Sequence, residues 1–111
     1  MATTGAIFEK VIAAQSALNT TGGIGAGKTS GRLAIAAYAV FSATTTAGVV
    51  TIETAPNAEW AGTWASVGTL TWTVANDVKY LRADGPVGAI RARISTAIGV
   101  GTVDVYLAAC D

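Results

Sequence analysis

The sequence predicts an all-β domain of antiparallel sheets, closed as a sandwich or a barrel, and three observations carry that expectation. Apolar and polar residues alternate with period two in four separate segments. Gly, Pro, Asn and Asp punctuate the chain often enough to leave about seven runs of strand length. The composition also fits a pleated surface: 16 Thr and 11 Val supply β-branched side chains, and 23 Ala make the 51% apolar fraction small-bodied. With 111 residues the chain has room for one domain and one core.

Each expected strand has its own justification. Residues 67–74 set Leu70, Trp72 and Val74 against Thr69, Thr71 and Thr73. In 48–54, Val50 and Ile52 oppose Val49, Thr51 and Glu53. In 89–97, Ile90, Ala92 and Ile94 oppose Arg91, Arg93 and Ser95. In 102–108, Val103, Val105 and Leu107 oppose Thr102, Asp104 and Tyr106. Residues 11–17, 32–41 and 78–83 complete the set. Residues 6–18 also carry a helical stripe of Ile7, Val11, Ala14 and Leu18, but an extended arm over 1–10 followed by a strand is the favoured reading. The Gly-rich stretch 19–31 reads as a loop within a single sandwich domain spanning 11–111.

Charge and composition exclude several functions. Seven Lys and Arg balance seven Asp and Glu, so there is no basic excess to neutralise nucleic-acid phosphates. No apolar run approaches the ~20 residues of a membrane-spanning helix. The first residues lack the basic stretch of an export signal, so a soluble protein made and used without export is expected. The chain has no His, and its one Cys, Cys110, can form neither an internal disulfide nor a multi-thiolate metal site. With no nucleophile–base constellation in sight, no catalytic residue, metal or cofactor is expected and the protein is read as a non-enzyme.

Three groups of residues stand out against that background. Residues 22–29, GGIGAGKT, match the P-loop template, in which Gly22 and Gly27 would frame phosphate-binding amides, Lys28 would reach the terminal phosphates and Thr29 would hold magnesium. The chemistry also needs a strand before the loop and a helix after it within a parallel sheet, and this chain offers no such alternation; the match is read as coincidence. Trp60 and Trp64 fall in a loop-like stretch, where they either cap the open end of an Ala-rich core, anchor a protein interface or stack on sugar rings. Arg91 and Arg93 share the polar face of one strand, with Arg82 on the preceding one, and could grip carboxylates; solvated pairs with Asp77 or Asp104 are the plainer expectation.

The order of these strands resembles a known family. Residues 48–57 (GVVTIETAPN), Trp60, 67–71 (VGTLT), 80–83 (YLRA) and 102–107 (TVDVYL) together are similar to the head decoration (cement or staple) proteins of tailed bacteriophages, such as those of epsilon15-like short-tailed phages. The resemblance covers about residues 11–109 and rests on strand patterns. It implies a jelly-roll-like sandwich of seven to eight strands that binds the outside of an icosahedral shell and staples neighbouring subunits of the major capsid protein. It would be made in the host cytoplasm and reside on the virion exterior, as a dimer or trimer, with Trp60, Trp64, Arg91 and Arg93 as interface candidates. The alternative is a tail or fibre accessory module that binds host glycans.

Overall fold

The structure, a computed structural model, describes residues 7–25, 34–74, 76–84 and 88–110. Within them the chain forms eight strands: β1 (Ile7–Gln15), β2 (Thr21–Ile24), β3 (Ala34–Phe41), β4 (Ala47–Ala55), β5 (Ala65–Thr71), β6 (Val78–Asp84), β7 (Ala89–Gly99) and β8 (Val103–Cys110). They make two four-stranded sheets, in the order β1-β8-β3-β6 (sheet A) and β2-β7-β4-β5 (sheet B). All neighbouring strands pair antiparallel. The last strand lies between the first and third, and the seventh between the second and fourth. This is the double Greek key of a jelly roll.

The alternation read from the sequence builds the core. In β8, Val103, Val105, Leu107 and Ala109 point inward while Asp104, Tyr106 and Ala108 point out. In β3, Ile35, Ala37, Ala39 and Phe41 do the same opposite Ala36, Tyr38 and Val40. Sheet B answers with Ile24, Val50, Ile52, Leu70, Ile90, Ala92 and Ile94. Trp72 packs against this core only in part, and its indole N–H is buried without a hydrogen-bond partner among the described residues.

Two expectations change here. The first concerns the arm over 1–10: Ile7–Lys10 belong to β1, in register with Ala109–Tyr106 of β8. Phe8 and Lys10 point outward and Ile7 packs on the core, so the segment has the two-sided pattern of a strand. Removing residues 7–10 would therefore strip β8 of about half its partner, and residues 1–6 of the expected arm lie outside the described residues. The second concerns the loop over 19–31, of which Thr21–Ile24 are strand β2, paired with Arg93–Ile90. A Cβ on Gly22 would collide with the Val11 carbonyl, and one on Gly23 with the Ile90 carbonyl and Arg91. These glycines let β1 and β7 approach β2 closely, which is the reason a Gly-Gly pair sits inside a strand.

Turns at one end of the sandwich are tied by local bonds. Ala14, at φ 49°, forms a bulge in β1, and its amide donates to Asp104 Oδ1 at 2.7 Å. Val100, at φ 65°, sits between Gly99 and Gly101 at the β7–β8 turn, where the Gly101 amide donates to the Gly99 carbonyl at 2.7 Å. Asp77, between β5 and β6, accepts from the Thr73 hydroxyl at 2.7 Å and the Thr73 amide at 2.9 Å, and pairs with Lys79 at 3.3 Å.

Led by the Thr73 hydroxyl, these donors hold the Asp77 carboxyl below its ordinary value of 3.8, against an opposing effect of burial. A carboxyl lowered in the folded state contributes stability above its unfolded pKa and loses it as pH falls through the folded value. Asp77→Ala is expected to lower the melting temperature at neutral pH. In a pH series of thermal melts, the gap to wild type should narrow below pH 3.8 and close once Asp77 is protonated in the folded protein.

Candidate functional site

With the inward faces committed to the core, the chemistry lies on the two outer faces. On sheet B, register places Glu53 of β4 opposite Arg91 of β7, with Arg93 two residues along on the same face. Glu53 Oε1 accepts from Arg91 Nε at 2.8 Å and Oε2 from Arg93 Nε at 3.1 Å. The carboxylate is only 7% exposed, whereas the two guanidinium side chains are 27% and 30% exposed. One buried acid thus lies beneath two half-buried bases, leaving one positive charge in excess. Arg93 Nη1 also donates to Asn19 Oδ1 at 3.2 Å. Beside it, Thr51 Oγ1 donates to Ser95 Oγ at 2.7 Å, continuing the polar row.

The loop between β4 and β5 folds over this face. Trp64 Nε1 donates to the Trp60 carbonyl and Trp60 Nε1 to the Thr63 carbonyl, both at 3.1 Å, so the two indoles fix the backbone of the 60–64 turn. The Arg91 guanidinium carbon lies 4.2 Å from the Trp64 ring centroid, a cation–π contact. Next to the pair opens a cleft of about 200 Å³, lined by Thr21–Ile24, Gly25, Ala58, Trp64, Ala89, Ile90 and Arg91.

The structure therefore brings Trp60, Trp64, Arg91 and Arg93 into one neighbourhood, but with other partners than the sequence reading supplies. Arg91 and Arg93 pair with Glu53, not with Asp77 or Asp104. Arg82 lies on sheet A, paired with Asp84 at 3.3 Å, so the three guanidinia do not share a face. Neither Trp60 nor Trp64 joins the core cluster as an end cap. Of the P-loop match, Gly22 stands in β2, where the backbone pairs with β7 instead of curving round a phosphate; Gly27, Lys28 and Thr29 lie outside the described residues.

Sheet A carries a feature that the sequence reading missed. Phe8 of β1, Tyr106 of β8, Tyr38 of β3 and Tyr80 of β6 form a belt across all four strands. Phe8 stacks on Tyr106 with centroids 5.4 Å apart and planes at 9°, and meets Tyr38 edge-on at 6.2 Å. Tyr38 lies 4.9 Å from Tyr80. Lys10 Nζ sits 5.4 Å from the Tyr106 centroid at the belt's edge. Phe8 and Tyr80 are 59% and 53% exposed, and Val78, also outward, is 56% exposed. With strands about 4.8 Å apart, the belt spans roughly 15 Å of open sheet.

Comparison with known proteins identifies the architecture. No protein-family model and no curated protein sequence matches the chain. Among solved structures, the SPBc2 prophage-derived protein YomS is similar at TM-score 0.53 and 10% identity, over 95% of this chain and 92% of that one. A chain of Bacillus endospore appendages, described as disulfide-linked pili, matches at TM-score 0.49 and 14% identity over 95% and 88% of the two chains. The CBM1 of BiXyn10A matches at 0.49 and 13% over 96% and 74%. At 10% identity the likeness to YomS is one of fold alone.

The Glu53 cluster makes a direct stability prediction. Glu53→Gln leaves two guanidinia side by side without their shared counter-charge. Because each retains some water contact, the expected cost is about 2 kcal/mol, below the ~3–5 kcal/mol of a fully buried pair. Urea unfolding monitored by Trp fluorescence would show it as a lower midpoint at unchanged slope.

Proposed function

We propose that this sandwich is a non-enzymatic structural module of a bacteriophage particle. In this reading it docks by the outer face of sheet A across neighbouring major-capsid subunits on the shell exterior and resists their separation. The observation that carries the reading is the belt of Phe8, Tyr38, Tyr80 and Tyr106. Exposed aromatic surface gathered on one sheet face is costly in water and marks a contact surface. Tyr and Phe are enriched among interface residues, and Tyr is prominent among the few that carry most of the binding energy. The rings come from four different strands, so the sheet itself fixes their spacing and little ordering is lost on docking.

Other features support the same role. The formal net charge is zero, which removes the self-repulsion that would oppose dense coverage of a lattice. The belt is edged by Lys10, Arg82 and Asp84, a mixed-sign rim that sets orientation without strong attraction. Many copies on one shell multiply a modest individual contact. Binding only to the expanded shell would stabilise that state by mass action.

The test is co-sedimentation with expanded and unexpanded phage heads lacking the protein. Wild type is expected to bind expanded heads saturably and unexpanded heads weakly. Phe8→Ser with Tyr80→Ser is expected to weaken binding at least about tenfold, as loss of interface anchors does. The fold should survive, because both rings are more than half exposed. Trp64→Ala, on the opposite sheet, should leave binding unchanged. Full binding by the Phe8/Tyr80 variant, or equal binding to both head forms, would contradict the proposal.

A further inference from the structure

The cleft on sheet B is built from parts that the docking reading does not use. It lies on the opposite sheet from the aromatic belt, and its about 200 Å³ is smaller than the sites that take drug-sized ligands, which fits one small ring. One wall is the Trp64 indole and another is the backbone of Thr21–Ile24 and Gly25, with small side chains at Ala58 and Ala89. Strand β2 is an edge of sheet B, so part of its backbone is free of the sheet ladder.

Arg91 gives the cleft its chemistry. Its Nε is held by Glu53 Oε1 at 2.8 Å and its face by Trp64 at 4.2 Å. Among the described residues, Nη1 and Nη2 have no hydrogen-bond partner. These two nitrogens form a fork whose direction is already fixed, the arrangement that binds a carboxylate through two parallel bonds. Glu53 is shared between Arg91 and Arg93, so it offsets only one of their two charges and an anion remains welcome. An indole beside the fork offers an apolar surface, and the strand edge offers N–H and C=O groups for hydroxyls.

Gly25 supplies a separate indication. Unlike a Cβ on Gly22 or Gly23, one here would meet, among the described residues, only Ala58 Cβ at 3.8 Å, an ordinary contact. A larger side chain at this position would instead occupy the cleft it lines.

From these features we infer that the cleft binds a single acidic sugar residue. Its carboxylate would take the Arg91 fork, one ring face would lie on Trp64, and its hydroxyls would bond the β2 backbone. The sheet that faces away from the particle surface would then carry a glycan contact, a role separate from docking.

The experiment is a titration of the ¹⁵N-labelled protein with methyl β-glucuronide, followed by NMR. The expected result is saturable movement of the Trp64 indole N–H and the amides of residues 22–25. Methyl β-glucoside, which lacks the carboxylate, should bind at least about tenfold more weakly, a difference of about 1.4 kcal/mol. Sodium acetate and inorganic phosphate should also be weaker by about that factor. Arg91→Gln should erase the preference for the acidic sugar, and Gly25→Val should block binding while leaving the remaining amide spectrum folded. No movement with the glucuronide, an equal response to acetate or phosphate, or binding that survives Gly25→Val would each overturn the inference. None of these outcomes bears on docking, which the Phe8/Tyr80 variant tests on the other sheet.

Discussion

The structure depends on one constraint: each strand commits one of its two faces to a thin core shared by both sheets. Period-two alternation makes that commitment complete, since a slip of one residue would exchange the entire inner and outer sets. The inner set is small. Ala37, Ala39, Ala92 and Ala109 lie among Val and Ile, and of the eight aromatic rings in the chain only Phe41 is fully buried. In most domains the aromatic residues dominate the core. Here Ile, Val and Leu, with a few alanines, fill the space between the sheets, and the other rings stand outside or at its margin.

That partition gives the two outer faces different characters. On sheet A, outward positions of neighbouring strands align four rings, because Tyr38 lies directly opposite both Tyr80 and Tyr106. On sheet B, the Glu53–Arg91 pairing across β4 and β7 buries a carboxylate on what would otherwise be a solvated face. The carboxylate then orients two guanidinia, one of which carries the Trp64 indole. The open aromatic surface suits another protein's surface, and the small charged cleft suits a small anionic ring. The sandwich between them keeps the two from interfering.

Most of the strands were legible because alternation is a local property. Residues 89–97 and 102–108 read as strands from their own side chains; β7 runs two residues further, and β8 starts one residue later and ends two later. Strand β2 was not legible. Four residues with two glycines carry no alternation, and they become a strand by pairing with Arg93–Ile90 of β7, where the close approach of Val11 and Ile90 leaves no room for a Cβ. The start of β1 was missed for a related reason: its pattern over Ile7–Lys10 is short, and β8, its partner, lies some hundred residues later. Site residues followed the same rule. Trp60, Trp64, Arg91 and Arg93 announced themselves by residue type. Glu53 did not, because its burial is set by cross-strand register. Nor did the belt, because Tyr38 sits in a strand whose two faces are both apolar, and because no single strand contributes more than one ring.

The central claim is that sheet A faces the shell and sheet B faces away. Oxidative footprinting of the protein bound to expanded heads, read by mass spectrometry, tests it most directly, because Phe, Tyr and Trp are all reactive and lie on both faces. The account predicts protection of Phe8, Tyr38, Tyr80 and Tyr106 on binding, with Trp60 and Trp64 as reactive as in the free protein. Protection of Trp60 and Trp64 with the belt still reactive would contradict it and turn the molecule over on its shell.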